Sequence, residues 1–331
     1  MSLPDPLLQE LVAGGVSTRA NVVGLGCALP DQIIPNARVA EAIAVDEAWI
    51  ERRTGIRSRR RAAAGMTLLD LAVQSARAAL EDAALDPGEI DLVILATVSQ
   101  ERRLPNVAPE LTAAIGAASA GAFDLGAACS GFVTSLAVAS ASIEAGMARH
   151  ALVVGADMLS RHTDPLDRST AALFGDGAGA VVLSAGDRGG VTAVHLAADG
   201  AAAELIVTDP ETDLIRMDGP ETFRVAVDAM AEGVRAVCER ANVDPLADVD
   251  LFVFHQANGR ITRALTQRLR VPHEKVVDGI AEVGNTSAAS VPLALEQARA
   301  DGRLRAGSRV LLCAVGAGFV SAAALLEWES V

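Results

Sequence analysis

Short apolar runs alternate with amphipathic stretches along the chain, and the same order occurs twice. Asp91-Leu-Val-Ile-Leu and Asp250-Leu-Phe-Val-Phe are each predicted to form a buried parallel strand. Each run follows a stretch of helical periodicity that closes with Asp-Pro, at residues 76–87 and 234–245. Later in each half, an apolar run (RHALVVGAD, SRVLLCAVG) predicts a second strand, and GAGAVVLSA and SAAALLEWE predict a final one.

The spacing of these runs indicates an internal duplication. The interval between the first pair of strands equals that between the second pair, at 159 residues. Residues 1–186 and 187–331 are therefore expected to form two similar halves, the first carrying a candidate nucleophile and the second its partners. Alternating helices and apolar strands predict an α/β protein, and two halves related by a pseudo-twofold axis predict five layers, α/β/α/β/α.

Composition and charge narrow the class of protein. The chain has 331 residues, 51% of them hydrophobic, which is typical of a large globular protein. Its net charge of −14 argues against a nucleic-acid partner, because binding phosphates requires a positive potential. We see no signal peptide and no stretch that would span a membrane. The four cysteines have neither metal-binding nor disulfide spacing, so we expect a cytoplasmic protein without a metal.

Cys129 is the candidate nucleophile, because it is predicted to lie at a turn between a strand and a helix. The apolar run before it ends at Ala128, and SGFVTSLAVASASIEAG after it predicts a helix. A helix N-terminus supplies free backbone N–H groups and a positive potential, which favour the reactive thiolate. We therefore expect the pKa of Cys129 to be lowered.

Two polar residues of the second half are expected to join Cys129. His255 ends the strand VDLFVFHQAN, and Asn285 lies in EVGNTSAAS. Each alone has a structural explanation, His255 as a residue that merely follows a strand and Asn285 as a helix N-cap. Under the duplication, however, Cys129 corresponds to Ala288, which places Asn285 near the counterpart of the cysteine. A nucleophile, an imidazole and an amide donor are therefore predicted to meet in one pocket.

Five motifs resemble those of the β-ketoacyl-acyl carrier protein synthase III family in order and spacing: GAACSGF, LFGDGAGAVVL, HQANGRI, GNTSAASVPLAL and VGAGF. WIERRTGIRSRR, near the N-terminus, is also similar. The resemblance extends over residues 22–328. It implies a homodimeric thiolase fold without a cofactor. It also implies a decarboxylative Claisen condensation of an acyl-coenzyme A primer with malonyl-acyl carrier protein, by way of acyl-Cys129, which primes fatty acid or polyketide synthesis.

The resemblance assigns roles to individual residues. His255 and Asn285 stabilise the enolate of the malonyl thioester, and the backbone of Cys129 helps to hold the acyl oxyanion. The loop that shares this second task contains Gly316, Gly318 and Phe319. The residues implied to bind coenzyme A are Trp49, Arg53 and Arg168. The residues implied to dock the acidic carrier protein, near one face of a predicted helix, are Arg260, Arg263 and Arg268.

Leu104 is implied to line the acyl pocket. Many relatives restricted to acetyl primers carry an aromatic residue in this segment, so the leucine leads to the hypothesis of a longer or branched primer.

Two alternatives use the same fold. An acyltransferase would keep Cys129 and pass the acyl group to a hydroxyl or amine acceptor in secondary metabolism. The presence of both His255 and Asn285 favours condensation, since simple transfer has less need of a pair that stabilises an enolate. A non-catalytic partner subunit typically lacks the cysteine, so the sequence argues against that class.

Overall fold

A computed structural model describes residues 18–329 of the chain. The helices and strands of the first half are β1 (Arg19–Ala28), β2 (Gln32–Pro35), α1 (Asn36–Ala42), α2 (Glu47–Thr54), β3 (Ser58–Arg61), α3 (Leu68–Asp82), β4 (Leu92–Ala96), α4 (Val107–Ile115), β5 (Gly121–Leu125), α5 (Gly131–Glu144), β6 (His150–Met158) and β7 (Asp176–Gly186). Those of the second half are β8 (Gly190–Ala198), β9 (Ile206–Thr208), β10 (Ile215–Met217), α6 (Gly219–Ala241), β11 (Leu251–Phe254), α7 (Gly259–Leu269), α8 (Ile280–Val283), α9 (Ser290–Ala300), β12 (Arg309–Gly316) and β13 (Val320–Glu327).

The two halves contain sheets of matching topology. The first sheet has the order β1-β7-β6-β4-β5, and the second has the order β8-β13-β12-β11. In both, the two strands predicted from the repeat are parallel neighbours, and the final strand is antiparallel to the second of them. The proposed division after residue 186 falls in the turn between β7 and β8.

Alternating side chains divide the core into layers. In β4, Val93 packs against the outer helices α3 and α4, while Ile94 faces the middle helices α5 and α9. In β11, Leu251 faces the same middle helices, and Phe252 packs with the outer helices α6 and α7. Because both faces of each sheet are covered, the strands are apolar throughout instead of alternating. The predicted five-layered arrangement is confirmed.

An aspartate directly precedes the first predicted strand of each repeat, and it fixes the position of the neighbouring strand. The Asp91 carboxylate accepts hydrogen bonds from the backbone N–H groups of Arg149 at 2.7 Å and His150 at 3.0 Å. Both bonds lower the pKa of Asp91, and the bond from His150 has the larger effect. Asp250 accepts the equivalent bond from the N–H of Arg309 at 2.8 Å.

Two short turns precede the middle helices, and each is held by a strand of the other half. We call residues 128–130 the first turn and residues 287–289 the second turn. A Cβ built on Gly155, in β6, would lie 2.5 Å from the carbonyl oxygen of Ala288 in the second turn. A Cβ built on Gly316, in β12, would lie 2.6 Å from the backbone nitrogen of Cys129 in the first turn. Only glycine therefore permits these two backbone contacts.

We predict that Gly155→Ala destabilises the protein by about 3 kcal/mol, because the new methyl group meets rigid backbone and not a flexible side chain. Gly200→Ala is the control, since a Cβ there has no neighbour within 4 Å. Urea denaturation of both variants measures the difference. Equal stability of the two variants would contradict the proposed close contact.

Candidate active site

Cys129 lies in the first turn, between β5 and α5, as the sequence predicts. Ala128 before it has a positive φ of 46°, and Gly316 packs against the backbone of the turn. The backbone N–H of Cys129 makes no hydrogen bond with the described residues. It is therefore a free donor beside the sulfur.

One cavity of about 720 Å³ brings the three predicted residues together. Cys129, His255 and Asn285 all contribute to its wall, although they come from three separate segments of the chain. Cys129 and His255 follow the carboxyl ends of strands β5 and β11, whereas Asn285 lies just after the short helix α8. The arrangement provides a thiol and two side-chain groups for binding a polar ligand.

His255 is buried and neutral. It directly follows β11, where its backbone N–H donates to the carbonyl of Cys313 at 2.8 Å. Its Nδ1 lies 2.6 Å from Oγ of Ser290, and this is the one hydrogen bond that the ring makes with the described residues. Burial lowers the pKa of His255 from 6.5 to about 3. At neutral pH the imidazole is therefore uncharged, with Nε2 left for the cavity.

Asn285 is held by its backbone. Its N–H donates to the carbonyl of Leu173 and its own carbonyl accepts from the N–H of Gly175, both at 2.9 Å. Its Oδ1 accepts from the N–H of Ser287 at 2.9 Å, which leaves the Nδ2 donors available. The N-cap of α9 is Ala289, so the helix-cap explanation of Asn285 does not apply.

The expected lowering of the Cys129 pKa is wrong. Burial raises the pKa to about 12, the negative charge of Asp157 adds to the increase, and the nearby hydroxyl of Ser287 opposes it. Desolvation of a thiolate outweighs the modest stabilisation that a helix N-terminus provides. The resting sulfur is therefore a thiol that must lose its proton during reaction.

The equivalent site in the other half is filled. Under the repeat of 159 residues, Ala288 corresponds to Cys129 and Asp157 corresponds to Gly316. The Asp157 carboxylate accepts from the N–H of Ala288 at 3.3 Å and from that of Val98 at 2.9 Å. It therefore occupies the position that glycine leaves open beside Cys129. Only one of the two half-sites has room for a ligand.

The residues implied to bind coenzyme A line the exposed end of the cavity. The guanidinium of Arg53 stacks over the indole of Trp49, with its Cζ 4.7 Å from the ring centroid. Arg168 donates to the carbonyls of Ile43 at 2.8 Å and Ala44 at 3.2 Å, which fixes its position on the same wall. An aromatic face and two cations suit a planar base with phosphates attached.

The arginines implied to dock a carrier protein differ in their surroundings. All three lie on α7, as the sequence predicts. Arg260 lines the cavity and stacks over Phe223 at 5.6 Å, and Arg263 is exposed. Arg268 instead forms an ion pair with Asp228 at 2.6 Å, so its charge is already compensated.

Leu104 does not line the cavity of its own chain, contrary to the role that the family resemblance implies. Its side chain is 83% exposed, on the loop between β4 and α4. Within one chain, the wall of the cavity is therefore formed without it.

Three residues of the site had no separate signal in the sequence. Asp157 accepts a hydrogen bond from the second turn, and Ser290 contacts the imidazole of His255. Phe223 contributes an apolar part of the cavity wall. Ser290 lies within the GNTSAAS motif, but its contact with the imidazole depends on how α9 packs against β11.

Comparison with known proteins identifies relatives along almost the whole chain. The model for 3-oxoacyl-[acyl-carrier-protein] synthase III matches residues 123–213, and the model for its C-terminal part matches residues 238–328. The chain is 48% identical to β-ketoacyl-[acyl-carrier-protein] synthase III 2 of Streptomyces coelicolor, with 96% of each covered.

Solved structures give the same result. The crystal structure of 3-oxoacyl-[acyl-carrier-protein] synthase III from Aquifex aeolicus superposes with a TM-score of 0.91 at 42% identity, over 93% of this chain and 100% of that one. The priming β-ketosynthase from the R1128 polyketide biosynthetic pathway superposes with a TM-score of 0.90 at 37% identity, over 95% of this chain and 97% of that one.

The fold and the cysteine-containing cavity define a thiolase-fold condensing enzyme, an acyltransferase in its chemistry. More specifically, the chain belongs to the β-ketoacyl-acyl carrier protein synthase III family, which confirms the resemblance drawn from its motifs.

We predict that His255→Asn reduces the loss of stability in mild acid. The folded protein keeps His255 neutral down to a pKa of about 3, whereas the unfolded chain takes up a proton near pH 6.5. Stability from this residue is therefore complete above pH 6.5 and falls as the pH is lowered, by about 2 kcal/mol at pH 5.

Urea denaturation at pH 7.5 and pH 5 measures this effect. The exposed His273 provides the control, and His273→Asn is expected to keep the pH dependence of the natural protein. If His255→Asn also keeps that dependence, the buried neutral imidazole is contradicted.

Proposed function

We propose that this enzyme catalyses a decarboxylative Claisen condensation that primes fatty acid or polyketide synthesis. The primer is an acyl-coenzyme A, and the extender is malonyl-acyl carrier protein. The observation that carries the proposal is the single open half-site, in which Cys129, His255 and Asn285 share one cavity. The acyl-coenzyme A is a substrate, and we propose that no cofactor takes part.

In the first stage, Cys129 receives the acyl group. Its sulfur attacks the thioester carbonyl and loses its proton, and the departing coenzyme A thiolate gains one, so that thioester and thiol are exchanged without net charge. The N–H of Cys129 is positioned to bind the oxyanion, together with the loop that contains Gly316, Gly318 and Phe319. The absence of a side chain at Gly316 provides the space.

In the second stage, malonyl-acyl carrier protein loses carbon dioxide. The electron pair of the broken carbon–carbon bond forms an enolate, whose oxygen accepts hydrogen bonds from Nε2 of His255 and Nδ2 of Asn285. Each such donor is worth about 3 kcal/mol in comparable sites. The enolate carbon then attacks the acyl-Cys129 carbonyl, and the β-ketoacyl product leaves as Cys129 regains a proton.

Two surfaces support the assignment of substrates. Trp49, Arg53 and Arg168 form the adenine and phosphate site for coenzyme A. Arg260 and Arg263 on α7 add positive potential that would attract an acidic carrier protein to an enzyme whose net charge is −14.

We further propose that the enzyme acts as a homodimer. Strand β5 is an edge of the first sheet, and Phe123 on it is 39% exposed. Pairing of this edge with a second copy would cover it. It would also bring the exposed Leu104 loop near the neighbouring subunit, which is how Leu104 would reach an acyl pocket.

We assign the reaction to the cytoplasm, because all four cysteines are free thiols. Among residues 18–329, no helix combines the length and apolar character needed to cross a bilayer.

Intact mass spectrometry tests the proposed function. Incubation with a panel of acyl-coenzyme A thioesters is expected to add one acyl mass, which Cys129→Ala abolishes and Cys238→Ala retains, since Cys238 lies on an outer helix away from the cavity. Adding malonyl-acyl carrier protein should then remove the acyl group as a β-ketoacyl product. Release only to a hydroxyl or amine acceptor would support the acyltransferase alternative, and absence of any adduct would overturn both.

We predict that Arg53→Ala raises the KM for acyl-coenzyme A about tenfold, the effect of losing one charged contact. With an acyl-N-acetylcysteamine thioester, which lacks adenine and phosphates, KM should not change. Arg52→Ala is the matched control, because Arg52 lies on the same helix, pairs with Asp46 and does not line the cavity. Equal effects of both variants on both substrates would argue against this coenzyme A site.

A further inference from the structure

The hydroxyl of Ser290 is buried against the catalytic imidazole. Ser290 is 2% exposed and is the first residue of α9. Its Oγ contacts two groups, Nδ1 of His255 at 2.6 Å and the backbone N–H of Gln256 at 3.4 Å. It makes no other side-chain hydrogen bond with the described residues.

These contacts determine where the hydroxyl proton lies. The N–H of Gln256 is a donor only, so it takes a lone pair of Oγ and offers no acceptor. Nδ1 of His255 is then the one acceptor among the contacts of this buried hydroxyl. A hydroxyl carries one proton and can donate it once. If Nδ1 carried a proton instead, Oγ would accept from both Nδ1 and the N–H of Gln256, and the buried hydroxyl proton would have no acceptor.

A neutral imidazole has one N–H group, and a nitrogen that accepts a hydrogen bond cannot carry it. Because burial keeps His255 neutral, the assignment at Nδ1 also decides the state of Nε2. We infer that Ser290 is a positioning residue that holds His255 as the tautomer with its proton on Nε2. The imidazole then donates a hydrogen bond into the cavity and cannot accept one there.

The other half of the protein supports this pairing of serine with histidine. Under the repeat, Ser290 corresponds to Gly131 and His255 corresponds to Ala96. A Cβ on Gly131 would lie 2.9 Å from Cβ of Ala96, so the equivalent place has no room for either side chain. The serine and the histidine are thus present together in the open half-site and absent together in the filled one.

If the proposed function holds, the tautomer of His255 matters for decarboxylation and not for acylation. Decarboxylation needs an N–H donor at Nε2 for the enolate oxygen. Acylation of Cys129 uses its own backbone N–H and transfers the thiol proton to the departing coenzyme A, so it makes no demand on Nε2. Loss of the Ser290 hydroxyl should therefore slow decarboxylation selectively.

Nitrogen NMR tests the tautomer without reference to activity. The chain has only five histidines, so [15N]histidine labelling gives a simple long-range 1H–15N spectrum, and the signals missing in His255→Asn identify the residue. We expect the pattern of protonated Nε2 and unprotonated Nδ1 in the natural protein. In Ser290→Ala we expect the two nitrogens to move towards an average of both tautomers.

Kinetics of the same variants test the consequence. Ser290→Ala is expected to lower the rate of malonyl-acyl carrier protein decarboxylation at least about tenfold, as loss of a histidine tautomer does elsewhere. The rate of acyl-Cys129 formation should stay within about threefold of the natural enzyme, well below the scale of a lost hydrogen-bond donor. Ser290→Thr keeps the hydroxyl and should restore both the NMR pattern and decarboxylation.

Ser135→Ala provides the control for removing a buried hydroxyl from a middle helix, since Ser135 is 0% exposed and its Oγ has no partner among residues 18–329. It should change neither readout. A protonated Nδ1 in the natural protein, or an unchanged spectrum in Ser290→Ala, would overturn the inference. So would equal loss of acylation and decarboxylation. If the natural enzyme shows the expected tautomer but decarboxylates no malonyl thioester, the proposed function fails and the assignment of Ser290 stands.

Discussion

The structure depends on two places where a strand end touches the backbone of a turn in the opposite half. Gly155 of β6 meets the second turn, and Gly316 of β12 meets the first turn, each at a distance that excludes a side chain. Because the contacts run across the pseudo-twofold axis, each turn packs against the opposite half. The position of Cys129 therefore depends on the packing of both sheets as well as on its local strand-to-helix turn.

The same frame gives one reactive half-site and one filled half-site. Where Gly316 leaves space beside the N–H of Cys129, Asp157 places a carboxylate against the N–H of Ala288. Duplication thus supplies two equivalent turns, and side-chain differences at corresponding positions make only the turn with Cys129 reactive. Burial of the sulfur raises the pKa of Cys129, and the nearby Asp157 adds to the increase. The resting nucleophile is therefore a thiol.

Much of this arrangement is readable from the sequence. The repeat of apolar runs predicts the five layers, and its constant interval brings Cys129, His255 and Asn285 into one cavity. What the sequence does not supply are properties that arise from packing between distant segments. Desolvation in the assembled cavity decides the pKa of Cys129, and an ion pair from another helix compensates the charge of Arg268. Helix propensity and local charge carry no information on either.

A crystal structure of the protein reacted with its primer thioester would show whether the single open half-site forms the acyl-enzyme. We predict electron density continuous from Sγ of Cys129 to the acyl carbonyl, whose oxygen accepts from the N–H of Cys129 beside Gly316. The Asp157 carboxylate should remain bound to the N–H of Ala288. An acyl group attached to another residue, or one whose oxygen lies away from that N–H, would show that this half-site does not form the acyl-enzyme in the way proposed.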